Sequence, residues 1–145
     1  MKSIYSLLLA IVFLLSGCEK EHEIVHEIVH EEIDLNNTNW AIHQTQEIPV
    51  RANGKNSELP IIWLGEEYFS VTSGCNIIIG LLKISDKTIG FTDYTTTLAN
   101  CEGYLAMEVY LMKNLSKITS YKYSSGILYL YIGTKMIGSF KRLKN

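Results

Sequence analysis

The sequence predicts a mainly β (α+β) fold: a small antiparallel sheet of six to eight strands, curled into a barrel, with one packed α-helix. Short segments rich in β-branched and aromatic residues alternate with polar turn clusters, which is typical of antiparallel strands. Nine tyrosines and only two prolines also favour strands. One stretch instead has its apolar residues at helical spacing. Many short strands with a single helix favour a sheet that curls into a barrel.

Strand-like segments follow one another from Trp40 onwards. They cover residues 40–43, 60–64, 68–72, 77–84, 88–92, 94–98, 117–123, 127–132 and 135–143. Residues 44–60 contain Gly54 and both prolines, and predict a long loop. Gly80 interrupts one apolar strand, which indicates a bulge or a close packing contact.

The helix is predicted over residues 102–115 because its apolar positions recur three and four residues apart. These positions are Leu105, Val109, Leu111, Met112 and Leu115. Glu108, Lys113 and Asn114 fall between them and are expected to face water. The sequence therefore predicts one amphipathic helix with these five residues on its apolar side.

The Ser125–Gly126 turn predicts a hairpin near the end of the chain. Its register sets Tyr121 opposite Leu130, Tyr123 opposite Leu128 and Lys122 opposite Tyr129. Tyr121 and Tyr123 then lie on one face of the sheet, and Tyr129 and Tyr131 on the other. Such tyrosines can form a platform that binds sugars or peptides, although in a sheet they more often pack with the hydroxyl at the rim.

The N-terminus resembles the signal of a bacterial lipoprotein. Met1 and Lys2 supply a short positive region, and an apolar stretch of about 12 residues follows, which is too short for a membrane-spanning helix of about 20. Leu15-Ser16-Gly17-Cys18 is similar to a lipobox. We therefore expect residues 1–17 to be removed and Cys18 to be acylated, with membrane lipid as its partner.

The lipobox implies a location in the cell envelope. Glu19 after the lipidated cysteine favours the outer membrane, and the acidic run that follows is similar to the surface-export signals of some bacterial lipoproteins. These features are compatible with either the periplasmic or the surface face of that membrane. The net charge of −2 gives no electrostatic basis for binding nucleic acid.

Residues 18–35 form an acidic, histidine-rich leader. Residues 19–34 hold seven acidic side chains against one lysine, and HExxH occurs twice, with His22, His26 and His30 as potential metal ligands. On a helix, two of these histidines could bind zinc with Glu23 as general base. A peptidase would also need a third ligand and a cleft, so we interpret the leader as a solvated tether. Adventitious binding of divalent metal is the second interpretation.

Once Cys18 is assigned to lipid, Cys75 and Cys101 remain as an even pair in an oxidising compartment. A disulfide between them would close a loop of about 26 residues and stabilise the fold by roughly 3.5 kcal/mol in the chain-entropy model. The alternative is two buried free thiols.

Residues 36–143 resemble the META domain family, a lipoprotein-associated group that includes the heat-shock protein HslJ. The likeness depends on Trp40, on Gly74-Cys75-Asn76 with Gly80, and on Thr96-Thr97-Leu98-Ala99-Asn100-Cys101. It continues through Glu108 on the helix to Phe140 and Arg142 in the last strand. Two departures stand out: Ile77-Ile78-Ile79 and Leu98 replace residues that are often polar or basic in the family. The resemblance implies that residues 36–145 form a barrel-like domain with a helix across it.

Three functions follow from these observations. The first is a non-catalytic envelope lipoprotein with no cofactor, which binds an envelope protein or a small ligand; the resemblance implies a link to stress or drug tolerance. The second is a metal-binding or hydrolytic protein that uses the histidine leader. The third is an accessory protein whose barrel holds a peptide or an acyl chain.

Overall fold

The structure is a computed structural model that describes residues 31–50, 59–100 and 105–144. Eight antiparallel strands form a closed barrel in sequence order, β1 to β8, with β8 returning to pair with β1. The strands are β1 (Thr38–Thr45), β2 (Ile61–Leu64), β3 (Tyr68–Thr72), β4 (Ile77–Ser85), β5 (Thr88–Thr96), β6 (Ser120–Ser124), β7 (Ile127–Ile132) and β8 (Lys135–Arg142). One helix, α1 (Leu105–Asn114), lies between β5 and β6 and continues into a short 3-10 turn, Leu115–Lys117. The predicted fold class is confirmed.

The core fills the barrel because inward positions alternate along each strand. Trp40, Phe69 and Phe91 are the largest side chains that are essentially inaccessible to water. Phe69 and Phe91 meet edge to face, with ring centroids 4.9 Å apart. Contacts of this kind add to the burial of apolar area that holds the barrel closed.

The predicted segments 88–92 and 94–98 are one strand, β5, which ends at Thr96. The pairing of β5 with β4 shifts at this point: Ile79 pairs with Thr95, and Leu81 pairs with Thr92. β5 therefore has one extra residue in a β-bulge, where Asp93 adopts a positive φ of 47°. Gly80 sits opposite this bulge, and a Cβ there would lie 2.6 Å from the Cβ of Tyr94. The bulge and the close packing contact predicted at Gly80 both occur.

The helix is where we predicted it, but the buried face is different. Leu105 and Val109, expected in the core, are 69% and 55% exposed. Leu111 and Leu115, two of the predicted apolar positions, are buried, and so are Met107 and Tyr110, which were not among them. Asn114, expected to face water, is also buried and donates from its side-chain amide to the Tyr110 carbonyl at 2.9 Å. Apolar residues lie on both sides of this helix, and contact with the barrel selected the side that carries the Tyr110 hydroxyl.

The packed part of the chain begins before residue 36. Leu35 belongs to the buried core and Ile33 packs against it. The carbonyl of Leu35 accepts a hydrogen bond from the Thr38 hydroxyl, which in turn accepts one from the Trp40 indole at 2.7 Å. The predicted signal peptide, Cys18 and the three leader histidines lie outside the described residues. Within those residues, no helix has the length and apolarity needed to cross a membrane.

Candidate functional site

The two ends of the barrel differ, and we define them by what closes them. The helix pole carries α1, the β3–β4 turn and the β7–β8 turn, whereas the N-terminal pole carries residues 31–37 and the β6–β7 turn. At the helix pole, Tyr110 donates its hydroxyl to the Ile137 carbonyl at 2.7 Å. Burial raises the pKa of this tyrosine, and Glu47 adds to the increase. The helix is therefore fixed to β8 by a neutral phenol.

Side chains fill the interior beneath the helix. The cavity between α1 and the strands has a volume of about 10 Å³ and is lined by residues such as Ile42, Ile62 and Leu130. This volume is at the lower limit for holding one water molecule, and the lining is apolar. Neither an acyl chain nor a peptide, as the third function requires, fits in this cavity.

Asn76 is the polar centre of the helix pole, and it is buried. Its amide nitrogen donates to both carboxylate oxygens of Glu108 at 2.9 Å and to the Ala99 carbonyl at 3.0 Å. Its amide oxygen accepts from the Ala99 N–H at 2.7 Å and from the Thr97 hydroxyl at 2.9 Å. One side chain thus joins the β3–β4 turn, the segment after β5 and helix α1.

The residues around Asn76 hold it in this position. Gly74 has a φ of 95°, a conformation that glycine adopts without strain. The Ser73 hydroxyl donates to the Asn76 carbonyl at 3.1 Å and accepts from its N–H at 3.0 Å. The Cys75 sulfur lies 3.6 Å from the Ala99 oxygen. Gly74-Cys75-Asn76 is therefore a structural clasp, whose buried polar atoms bond within the fold.

Cys101, the predicted partner of Cys75, lies outside the described residues, so the disulfide stays a prediction. In the sequence, Cys101 follows by two residues Ala99, whose carbonyl oxygen lies 3.6 Å from the Cys75 sulfur.

The predicted hairpin register is confirmed in every pair. Ser125 and Gly126 have φ values of 52° and 80°, as a two-residue turn of the primed type requires. Tyr121 is buried and donates its hydroxyl to the Asp86 carbonyl at 2.9 Å. Burial raises its pKa, with a further contribution from Asp86. Tyr123 packs on the core edge-to-face with Trp40, with ring centroids 6.0 Å apart.

Tyr129 and Tyr131 lie on the outer face of the same hairpin and are half-buried. The Lys122 ammonium lies 5.9 Å from the centre of the Tyr131 ring. Burial raises the pKa of Tyr131, and Tyr129 adds to this. The four predicted binding residues are thus divided: two pack inside the barrel, and only two are available to a ligand.

An exposed apolar surface that we did not predict lies on the outer wall of β3 and β4. We call Tyr68, Ile77, Ile79 and Leu81 the apolar stripe. Ile79 is 50% exposed and Tyr68, which pairs directly with Leu81, is 54% exposed. The other outward positions of β3 are the uncharged Ser70 and Thr72, and the outward row of β4 continues from Leu81 to the exposed Lys83. The outer face of an antiparallel sheet is ordinarily polar, and an apolar patch there marks a contact surface.

The apolar stripe could have been predicted from the sequence. Residues 77–84 are apolar at almost every position, whereas apolar and polar residues should alternate in a strand that has one face in water. Since β4 belongs to a closed barrel with a filled interior, its second apolar face has to lie outside.

At the N-terminal pole, three basic side chains line a shallow cleft of about 400 Å³. They are Lys141, Arg142 and Lys144, and all three are exposed. Ser125 and Gly126 of the β6–β7 turn form the other side of this basic cleft. The Arg142 guanidinium also lies 5.9 Å from the Trp40 ring centre. Among residues 31–50, 59–100 and 105–144, no cluster of three or more His, Cys, Asp or Glu side chains could hold a metal ion.

These features define a small closed β-barrel domain in which a buried Gly-Cys-Asn clasp secures a capping helix. The chain belongs to the META domain family, whose sequence profile matches residues 33–142. Two solved structures have the same fold. An NMR structure of a protein from Burkholderia xenovorans has a TM-score of 0.63 and 17% identity, and the match covers 86% of this chain and 99% of that one. A second NMR structure has a TM-score of 0.61 and 16% identity, over 76% and 95% of the two chains. None of the curated proteins compared with the chain matches it.

Proposed function

We propose that this protein is a lipid-anchored lipoprotein of the cell envelope whose META domain is a non-catalytic binding module. In this proposal, the module binds another envelope protein through the apolar stripe. The observation that carries it is the regular exposure of Ile77, Ile79 and Leu81 along the outer face of one strand. The likeness to the family suggests envelope stress or drug tolerance as the setting.

The anchor is proposed from the sequence of residues 1–18. Twelve residues separate Cys18 from Glu31, where the described chain begins. An extended segment of this length spans at most about 45 Å. The domain would therefore work within that distance of a bilayer, with its N-terminal pole attached to the tether.

The polar groups of the domain favour binding over catalysis. The buried polar side chains Asn76, Ser73 and Asn114 all bond to other parts of the fold. Their hydrogen bonds connect turns and the helix. A polar side chain whose hydrogen-bonding atoms already bond within the fold is not placed to transfer a proton to a substrate. The cavity beneath the helix is too small for a peptide or an acyl chain, so we place the ligand site on the outer surface.

The partner is expected to present a mainly apolar protein surface. Tyr68 and the three β4 side chains supply area that loses water on contact, at about 25 cal/mol per Å². Ser70 and Thr72 add hydroxyls but no charge. A strongly basic partner would lose its own hydration on this surface without receiving a counter-charge, because the one charged residue in the same row of β4 is Lys83.

Site-specific photo-crosslinking in intact envelopes tests the binding surface. A photoreactive amino acid is placed at Ile79, and in a matched control at Val109, which is equally exposed but lies on the helix. We expect one discrete adduct from position 79, none from position 109, and loss of the adduct when Leu81→Glu is added. Adducts that are absent, or alike at both positions, would contradict the proposal, as would an adduct with twice the mass of this chain, which indicates a homodimer.

Mass spectrometry of the mature protein tests the anchor separately. We expect the mature chain to begin at a diacylglycerol-modified Cys18, and Cys18→Ser to move the protein from the membrane fraction to the soluble fraction. An unmodified Cys18 in membrane-extracted protein would overturn the anchoring proposal and leave the test of the apolar stripe unaffected.

A further inference from the structure

The leader makes its first described contact with the domain at the β6–β7 turn. The Glu31 N–H donates to the Tyr123 carbonyl at 2.8 Å. Its carboxylate accepts from the Ser125 N–H at 3.2 Å and from the Ser124 hydroxyl at 3.4 Å. One acidic residue of the leader therefore already binds this turn through both its backbone and its side chain.

The same turn forms one side of the basic cleft. Ser125 both donates to Glu31 and lines the cleft with Lys141, Arg142 and Lys144. In the described part of the chain, no carboxylate forms a salt bridge with any of these three cations, and Lys135 with Glu47 is the one ion pair found there. The cleft thus combines three positive charges with a location directly beside the start of the leader.

The leader has the complementary charge within reach. Residues 19–30 contain four glutamates and one lysine. Glu27 precedes Glu31 by four residues, a distance that an extended chain covers in about 14 Å. Because the segment is attached next to the cleft, its effective concentration there is in the millimolar range. Contacts that would be too weak between separate molecules are then sufficient.

We propose that the acidic leader segment, residues 19–30, docks in the basic cleft and is an intramolecular ligand of the domain. Glu27 and Glu23 pair with Lys141, Arg142 and Lys144. The docked leader shortens the tether and holds the N-terminal pole towards the anchor. This contact is a property of the chain itself and does not depend on the proposed partner.

NMR relaxation of the soluble mature chain carrying Cys18→Ser tests the contact without a membrane. We expect leader amides between residues 22 and 29 to be ordered at low salt. They should become as mobile as a free chain at about 0.5 M NaCl, where the screening length is only a few ångströms. Lys141→Glu with Lys144→Glu should lower the docked population about tenfold, since two favourable surface pairs become repulsive.

Controls separate docking from general effects of charge. Lys113→Glu, on the helix pole, should leave the leader ordered. Glu23→Lys with Glu27→Lys should free the leader, and combining that pair with Lys141→Glu and Lys144→Glu should restore order. Unchanged domain signals show that each variant is folded.

Two results would overturn the proposal. The first is a leader that is mobile at low salt or stays ordered after charge reversal in the cleft. The second is a mobile leader together with binding to phosphatidylglycerol vesicles that requires Lys141 and Lys144, which would assign the cleft to lipid headgroups.

Discussion

Replacing Asn76 with aspartate perturbs the clasp at a single atom. The new side chain has the same shape and still accepts from the Ala99 N–H and the Thr97 hydroxyl. It can no longer donate to the Ala99 carbonyl or to Glu108. In place of an amide, a second carboxylate then faces the Glu108 carboxylate at hydrogen-bond distance.

The expected cost follows from these contacts. The lost hydrogen bond to a carbonyl contributes about 1 kcal/mol, and the bond to a charged carboxylate about 1.5–3 kcal/mol. Repulsion between the two carboxylates adds to this, moderated because Glu108 is half-buried. We expect Asn76→Asp to lower the free energy of unfolding by about 4 kcal/mol at neutral pH, a large part of the 5–15 kcal/mol typical of a domain.

The effect should depend on pH in a defined direction. Repulsion from Glu108 raises the pKa of the introduced carboxyl in the folded state above its unfolded value of about 3.9. The folded variant therefore binds a proton more readily than the unfolded chain. Its stability relative to the original protein should recover as pH falls through the raised pKa and be lost again as pH rises.

Urea denaturation followed by fluorescence of the buried Trp40 measures this at pH 7 and near pH 5. Glu108→Gln is the diagnostic second change, because its amide can donate to the introduced carboxylate. The double variant should be more stable than Asn76→Asp alone. If Glu108→Gln gives no recovery at pH 7, the Asn76–Glu108 bond does not couple the helix to the barrel.

Three further predictions concern the free energy of unfolding, measured in the same way. Gly80→Ala should lower it by several kcal/mol, because the added Cβ would lie 2.6 Å from the Cβ of Tyr94. Gly90→Ala should be close to neutral, because open space surrounds that position. Equal effects of the two substitutions would contradict the close approach at Gly80. Leu35→Ala should lower the free energy of unfolding by about 2–5 kcal/mol, because Leu35 is buried. Leu98→Ala, at a solvent-exposed position, should lower it by under about 0.5 kcal/mol. A neutral result for Leu35→Ala would show that Leu35 does not contribute to the core. Reduction should lower stability by about 3.5 kcal/mol if the predicted disulfide is present, and intact mass before and after alkylation reports whether it exists.

The sequence predicted the strands well wherever local chemistry decides the outcome. The Ser125–Gly126 turn fixed the hairpin register, since two residues with positive φ allow only one connection of that length. Gly80 indicated a close approach because an isolated glycine in an apolar strand has few other uses. Gly74-Cys75-Asn76 indicated the family, although its role as a clasp depends on Ala99 and Glu108, which are distant in the sequence.

The sequence by itself determined the mainly β fold, the family and the register of the last hairpin, because each follows from side-chain alternation, turn residues or a short motif. Only the tertiary structure decided which side of the helix is buried, since Leu105 and Met107 lie on nearly opposite sides, each of which carries apolar residues, and the barrel contacts just one. It also decided that the second apolar face of β4 lies in water, because closure of the barrel leaves room inside for one face of each strand. The packing of Leu35 was likewise a tertiary outcome, since no local pattern distinguishes it from the acidic leader that precedes it.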